Sequence, residues 1–158
     1  MGLDITAYRK LKVVTNPQID EDGELINWDT EWKPGASMDW SEENFPGRGE
    51  GIDSEKVYTW EEEYGFRAGS YSGYNRWRSE LEEFAIDNSF QELINFADNE
   101  GVIGTVVSKK LVKDFIENEE RAIEYDLALG ENNWWINQYR KWKKAFEMAA
   151  DDGAINFC

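Results

Sequence analysis

Residues 64–79 read YGFRAGSYSGYNRWRS. The chain has 158 residues and a formal net charge of −16, yet this stretch holds no Asp or Glu. Arg67, Arg76 and Arg78 are set among Tyr64, Phe66, Tyr71, Tyr74 and Trp77, and Gly65, Gly69 and Gly73 recur every four residues. Two periods of structure meet here. Residues 57–60, VYTW, are β-branched and aromatic and predict a strand running into the stretch. From Ser72 or Gly73 onward, Tyr74, Trp77, Leu81, Phe84 and Ala85 share one face of a 3.6-residue period and predict a helix. Ser72 is its expected N-cap. Residues 67–72 are then the expected strand-to-helix connection, with Gly69 inside it.

Toward the N-terminus the readings are extended. In 3–14, Leu3, Ile5 and Ala7 alternate with polar residues before Val13 and Val14. Asn16-Pro17 and the acidic Asp20-Glu21-Asp22-Gly23 read as a turn. Residues 24–29 resume a strand, so 3–14 and 24–29 are expected to pair as a hairpin. Asp20-x-Asp22-Gly23-Glu24 has a faint likeness to a calcium loop but lacks its full ligand series. Residues 29–55 show no clean period and contain Pro34-Gly35 and Pro46-Gly47. Trp32, Met38, Trp40 and Phe45 predict that this long irregular segment packs on the body, as a cover on a sheet or a lid over a site.

Toward the C-terminus the pattern is helical. Ser89-Phe90-Gln91-Glu92 has the form of a capping box before a short helix. Leu111, Phe115, Ile116, Ala122, Ile123 and Leu127 predict one long helix, closed by Gly130. A last helix is expected over about 133–150, with Trp135, Tyr139, Trp142 and Phe146 on one face. Residues 154–157 are expected to form a final strand. Strands first and helices later predict an α+β fold. Its expected form is a small antiparallel sheet, made by the N-terminal half and the C-terminal strand, packed by three to four helices of the C-terminal half. At this length 1–158 is expected to be a single domain.

Composition excludes several chemistries. There is no His, which removes Ser-His and Cys-His nucleophile pairs and the commonest metal ligand. With Cys158 as the one cysteine, neither an internal disulfide nor a structural zinc site is expected. Neither a metal nor another cofactor is expected. The opening MGLDITAYRK lacks a basic segment followed by an apolar one, so no secretory signal is expected. No apolar run approaches a membrane span. The acidic excess repels nucleic acid and anionic lipid over long range, so neither direct DNA or RNA binding nor membrane association is expected. It can attract a basic partner surface instead. A homo-oligomer is left open.

Three candidate sites follow. The first is the central stretch itself. Arginine offers a fixed fork of donors to phosphate and stacks on aromatic rings, and bases stack on aromatics. Arg67, Ser70, Tyr71, Ser72, Tyr74, Asn75, Arg76 and Arg78 are the candidate ligand-binding residues there. The competing reading makes Tyr74 and Trp77 core residues and spends the arginines on carboxylates. The second site is Asp98 with Glu100, two carboxylates able to act as acid and base or to hold a hard metal, or simply a solvated turn. The third is the basic face Arg140, Lys141, Lys143 and Lys144, which either touches nucleic acid or answers internal carboxylates.

The strings MGLDITAY, WKPGASMDW, GFRAGSYSGYNRWR, FQELINFADNEGVIG and KWKKAFEMAADDGAINF resemble a family of small acidic bacteriophage and prophage proteins of unassigned function. The resemblance implies expression in the cytoplasm of an infected bacterial host and a counter-defence role; it transfers no site residue. The expected function is then a non-enzymatic binding protein that captures a small nucleotide-type signal molecule. One alternative is an acidic interaction inhibitor that occupies the basic, nucleic-acid-binding surface of a host protein such as a nuclease; the partner is then either a small nucleotide-type ligand or a host defence protein. The other is a carboxylate-dependent hydrolase.

Overall fold

The computed structural model describes residues 2–158. The fold is α+β, with a four-stranded antiparallel sheet, a two-stranded sheet and six helices among the described residues. The central stretch does not contain a loop. Strand β4 (Glu62–Ser70) runs straight into helix α2 (Tyr71–Phe84). The expected connection over 67–72 is therefore corrected, and so is the cap. Ser70, not Ser72, is the N-cap, its Oγ accepting from the Gly73 N–H at 3.1 Å. The sequence misleads here because Gly69 reads as a turn residue. In the fold it serves a β-bulge: Leu3 pairs with Gly69 while Asp4 pairs with Arg67, so Ala68 is the extra residue. Gly69 sits at φ +120°, which an L side chain rarely adopts.

The strand partners also differ from expectation. Strand β1 (Gly2–Arg9) does not form a hairpin with 24–29. It lies between β4 and the C-terminal strand β6 (Ala154–Phe157), antiparallel to both. Strand β5 (Gly101–Ile103) completes the order β4-β1-β6-β5. The short β2 (Lys12–Val13) pairs instead with β3 (Tyr58–Thr59). Residues 24–29 form no strand, and only an isolated bridge joins Ile19 to Leu25. A local turn signal suggested the hairpin; the deeper burial of β1 between two long-range partners decided against it.

One face of the sheet carries Leu3, Ile5, Ala7, Ile155 and Phe157, all at most 1% exposed, into the main core. That core is largely aromatic. Trp142 of helix α6 (Trp134–Ala149) is fully buried. Its ring lies 5.2 Å from Trp77 in a stacked pair, 5.2 Å edge-on to Phe66, 5.8 Å from Tyr74 and 5.8 Å from Phe157. The helical faces read from Tyr74, Trp77, Leu81 and Phe84, and from Trp135, Tyr139, Trp142 and Phe146, are those that point inward. The opposite face of the sheet carries a smaller cluster. Val102 and Ala154 meet Met38 of helix α1 (Gly35–Asn44), and Tyr8 stacks on Trp32 at 4.9 Å. So 29–55 does pack on the body, but it is not irregular throughout: it contains the ten residues of α1.

Two further helix expectations are corrected. The Ser89 capping box does not form: Ser89 Oγ donates to the Ile86 carbonyl, and Phe90 precedes helix α3 (Gln91–Ile94) at φ +63°. The buried Asp114 carboxylate, from helix α4 (Thr105–Glu117), accepts the Phe90 N–H at 3.0 Å instead. The long helix over 111–127 divides into α4 and α5 (Glu119–Leu129). At the break, Asn118 Nδ2 donates to the Asp114 carbonyl while its Oδ1 accepts from Arg121. Leu111, Phe115 and Ala122 are buried as read, but Ile116, Ile123 and Leu127 face solvent. Gly130 closes α5 in the left-handed conformation, as its position predicted. A second buried carboxylate, Asp126, accepts the Ile136 N–H at 3.1 Å and caps α6 from α5. No helix among the described residues is long and apolar enough to cross a membrane.

Asp114 also pairs with Lys110 at 2.7 Å. Asp114→Ala should lose about 2–4 kcal/mol of unfolding free energy, because it leaves the Phe90 N–H buried and unpaired. Asp114→Asn, which keeps an acceptor, should lose less; urea unfolding of both variants checks the order. Stability should also fall in alkali. Burial raises the phenols of Tyr8, Tyr74 and Tyr139 well above their ordinary 10.0. Desolvation and the hydrogen bond to Glu80 push Tyr125 up to about 12. The folded state holds these protons longer than the unfolded chain, so stability is full below 10.0 and declines as pH rises above it. The Tyr74 hydroxyl is buried with no hydrogen-bond partner among the described residues. Tyr74→Phe should therefore keep neutral-pH stability and make the alkaline decline shallower, as unfolding curves at stepped pH would read.

Candidate functional site

The residues expected to bind a ligand in the central stretch are not brought to one place. Arg67, exposed on β4, faces Asp4 across the strand pair at 3.4 Å. Arg76 donates to Glu131 and lies over the Trp134 ring, 4.3 Å from its centre. Arg78 donates to the Phe96 carbonyl and to Asn75 Oδ1, with the Ile94 carbonyl at 3.4 Å, and its guanidinium rests on the Tyr74 ring at 4.8 Å. Tyr74 itself has no exposed surface. Ser70 and Ser72 share a hydrogen bond of 3.1 Å at the helix start. The physical reason is the charge balance. With 33 acidic and 17 basic residues, each arginine finds carboxylates or free carbonyls nearby. Tyr71 alone of the eight opens onto a large concavity, and it does so with 37% of its surface exposed.

The other two candidates resolve in a similar way. Asp98 and Glu100 lie in the turn between α3 and β5, and neither takes part in an ion pair among the described residues. Glu100 lines the same concavity as Tyr71, whereas Asp98 lies near enough to Tyr74 to raise its phenol. On α6, Lys143 binds Glu119 and reaches Glu147 at 3.7 Å, Arg140 reaches Glu119 at 4.0 Å, and Lys144 lies over the Tyr64 ring at 4.2 Å. The basic face is thus largely engaged with its own chain. No group of three or more His, Cys, Asp or Glu side chains is disposed to hold a metal among the described residues. The Asp20 carboxylate of the calcium-like turn accepts from the Asp22 and Glu24 N–H groups, both at 2.9 Å, and so holds its own loop.

The surface that remains open lies around 18–36, which the sequence marked as a turn, a strand over 24–29 and the start of an aperiodic segment. This loop stands beside the two-stranded sheet and projects Trp28 with 76% of its surface exposed, Ile26 with 53% and Ile19 with 45%. Residues 18–31 contain Asp20, Glu21, Asp22, Glu24, Asp29 and Glu31 and no Lys or Arg. A cavity of about 570 Å³ opens beside Trp28, with Ile19, Leu25 and Glu31 in its wall. Across the ridge formed by 32–34, a second cavity of about 500 Å³ is bounded by Lys33, Ser37, Tyr71, Glu100 and Asn156. Trp32 and Lys33 line both. The strand expected over 24–29 would have buried Trp28 against a partner; without that pairing no element covers it.

Comparison with protein-family models, with curated proteins and with solved structures yields no match.

The arginines differ in what their removal should cost. Arg78→Ala leaves carbonyls of Phe96 and Ile94 without a donor in a half-buried setting and should lose about 1–2 kcal/mol. Arg67→Ala removes an exposed ion pair and should stay within about 0.5 kcal/mol of the parent. Urea denaturation of the two variants provides the check; equal losses would contradict the geometry described.

Proposed function

We propose that this protein is a non-enzymatic interaction protein whose acidic, Trp28-bearing surface occupies the basic surface of another protein. The observation that carries the reading is the composition of 18–31 as it is presented: three exposed apolar side chains, six carboxylates and no cation. Burial hot spots in protein interfaces are enriched in Trp, and their surroundings exclude water around it. Complementary charge steers encounter and sets register more than it adds affinity. An exposed indole in an acidic segment therefore suits a basic surface that has an apolar recess. Nucleic-acid-binding proteins carry surfaces of that sign, and a chain with net charge −16 repels the nucleic acid itself.

The motifs similar to small phage and prophage proteins supply the setting: the cytoplasm of an infected bacterium, with a host nuclease or defence protein as the partner class. The absence of His and the engagement of the arginines by their own chain support binding over turnover. The direct test is retention of bacterial proteins on the immobilised chain at low and high salt, followed by identification and competition with DNA. The expected partner is basic, is released by salt and loses its DNA on binding. Trp28→Ala should weaken a purified complex by about thirtyfold, near 2 kcal/mol. Replacing Asp20, Asp22 and Glu24 together by their amides should chiefly slow association. Undiminished binding by both variants would remove the assignment.

A further inference from the structure

The second cavity is a different site from the Trp28 surface, although it shares Trp32, Lys33 and Pro34 with the cavity beside Trp28. Its floor is the sheet face opposite the main core. On that face Asn156 pairs across β6 with Thr6 and Val102. The covering segment seals Val102 and Ala154 with Met38 and seals Tyr8 with Trp32. The cover stops before Asn156, and the opening of about 500 Å³ is lined also by Tyr71, Asn99 and Glu100. This volume lies within the range of about 300–1,000 Å³ typical of small-molecule sites.

The side chains around it fall into three chemical groups. Trp32, whose ring stacks on Tyr8 on one side, and Tyr71 are aromatic residues of its wall. Asn99, Asn156 and Glu100 offer paired donors and acceptors, and the Ser37 hydroxyl at the wall is buried without a hydrogen-bond partner among the described residues. Lys33 is the cation of the site and forms no ion pair among the described residues, unlike Arg67, Arg76, Lys110 and Lys143. Aromatic faces, amide edges and one free cation together match a planar heteroaromatic ring that carries an anionic group. We infer that this cavity binds a nucleoside monophosphate. The base lies against Tyr71 and Trp32, the asparagine amides read its polar edge, and Lys33 meets the phosphate. Glu100 accepts from a ribose hydroxyl or a ring N–H. The arginines of the central stretch take no part; of that stretch only Tyr71 does.

The test uses the full chain titrated with AMP, GMP, CMP and UMP, with adenosine and inorganic phosphate as controls. Binding is followed by NMR at the Trp32 indole N–H and the Asn156 side-chain amide. Cys158, the one cysteine, lies at the rim, so its alkylation rate is a second readout. At least one nucleotide should shift both signals, slow alkylation and bind more tightly than adenosine or phosphate. Tyr71→Ala should weaken it by about tenfold, within the range for one base stacked on an aromatic. Lys33→Met should remove the preference for nucleotide over nucleoside; both substitutions are at exposed positions and leave the core intact. No shift at Trp32 or Asn156 with any of the four at millimolar concentration would overturn the inference. So would shifts confined to Arg67, Arg76 and Arg78, or a Lys33→Met variant that still prefers the nucleotide. Trp28→Ala should leave nucleotide binding unchanged, which separates this site from the protein-binding surface.

Discussion

The structure depends on the burial of Trp142 against Trp77. Trp142 is the point where α6 meets α2, β4 and the last strand, through Trp77, Phe66 and Phe157. Large aromatic rings supply burial and a preferred geometry at once. That matters in a chain with a third of its residues charged and most of the charge of one sign. The self-repulsion of an acidic surface opposes compaction, and the aromatic core opposes it in turn. The buried Trp77 Nε1 has no hydrogen-bond partner among the described residues, so packing is favoured at that point over polar satisfaction.

Charge is handled by local assignment. Arg67 answers Asp4 on a neighbouring strand, Arg76 answers Glu131, and Lys143 answers Glu119. The two buried aspartates follow a different rule. Asp114 and Asp126 each receive a backbone N–H from an adjoining helical segment, so a carboxylate on α4 completes the start of the preceding α3 and one on α5 completes the start of the following α6. Such caps tie the order of α3 through α6 to their mutual packing. They also account for why the helix starts lack the side-chain caps that local sequence would supply.

The two faces of the sheet differ in how completely they are covered. The first face is filled by helices. The second is only partly covered, by Trp32, Met38 and Trp60, and its covering segment leads into the acidic loop with Trp28. Both cavities and the most exposed tryptophan belong to this side. A cover that seals apolar residues but ends short of Asn156 leaves that residue in the wall of the second cavity together with Trp32 and Tyr71.

The fold class was legible in the sequence because it rests on periodicity. Tyr74, Trp77, Leu81 and Phe84, and Trp135 through Phe146, bury the faces that their spacing predicts, and 154–157 is a strand. Gly130 stops its helix for a local steric reason that sequence also carries. What the sequence misplaced depended on distant partners. Gly69 read as a loop because a glycine signals a turn and a bulge alike; only pairing with Leu3 distinguishes them. The hairpin of 3–14 with 24–29 failed because β1 gains more burial between β4 and β6 than beside a short acidic segment. The arginine cluster stood out by composition, but composition cannot say which carboxylate or carbonyl lies a few ångströms away in space. Sequence by itself determined the helical faces, the aromatic core and the chemistries that a chain without His excludes. Tertiary structure alone decided which strands pair, which charges are already neutralised and which side of the sheet stays open, because each of these is set by contacts between residues far apart in the chain.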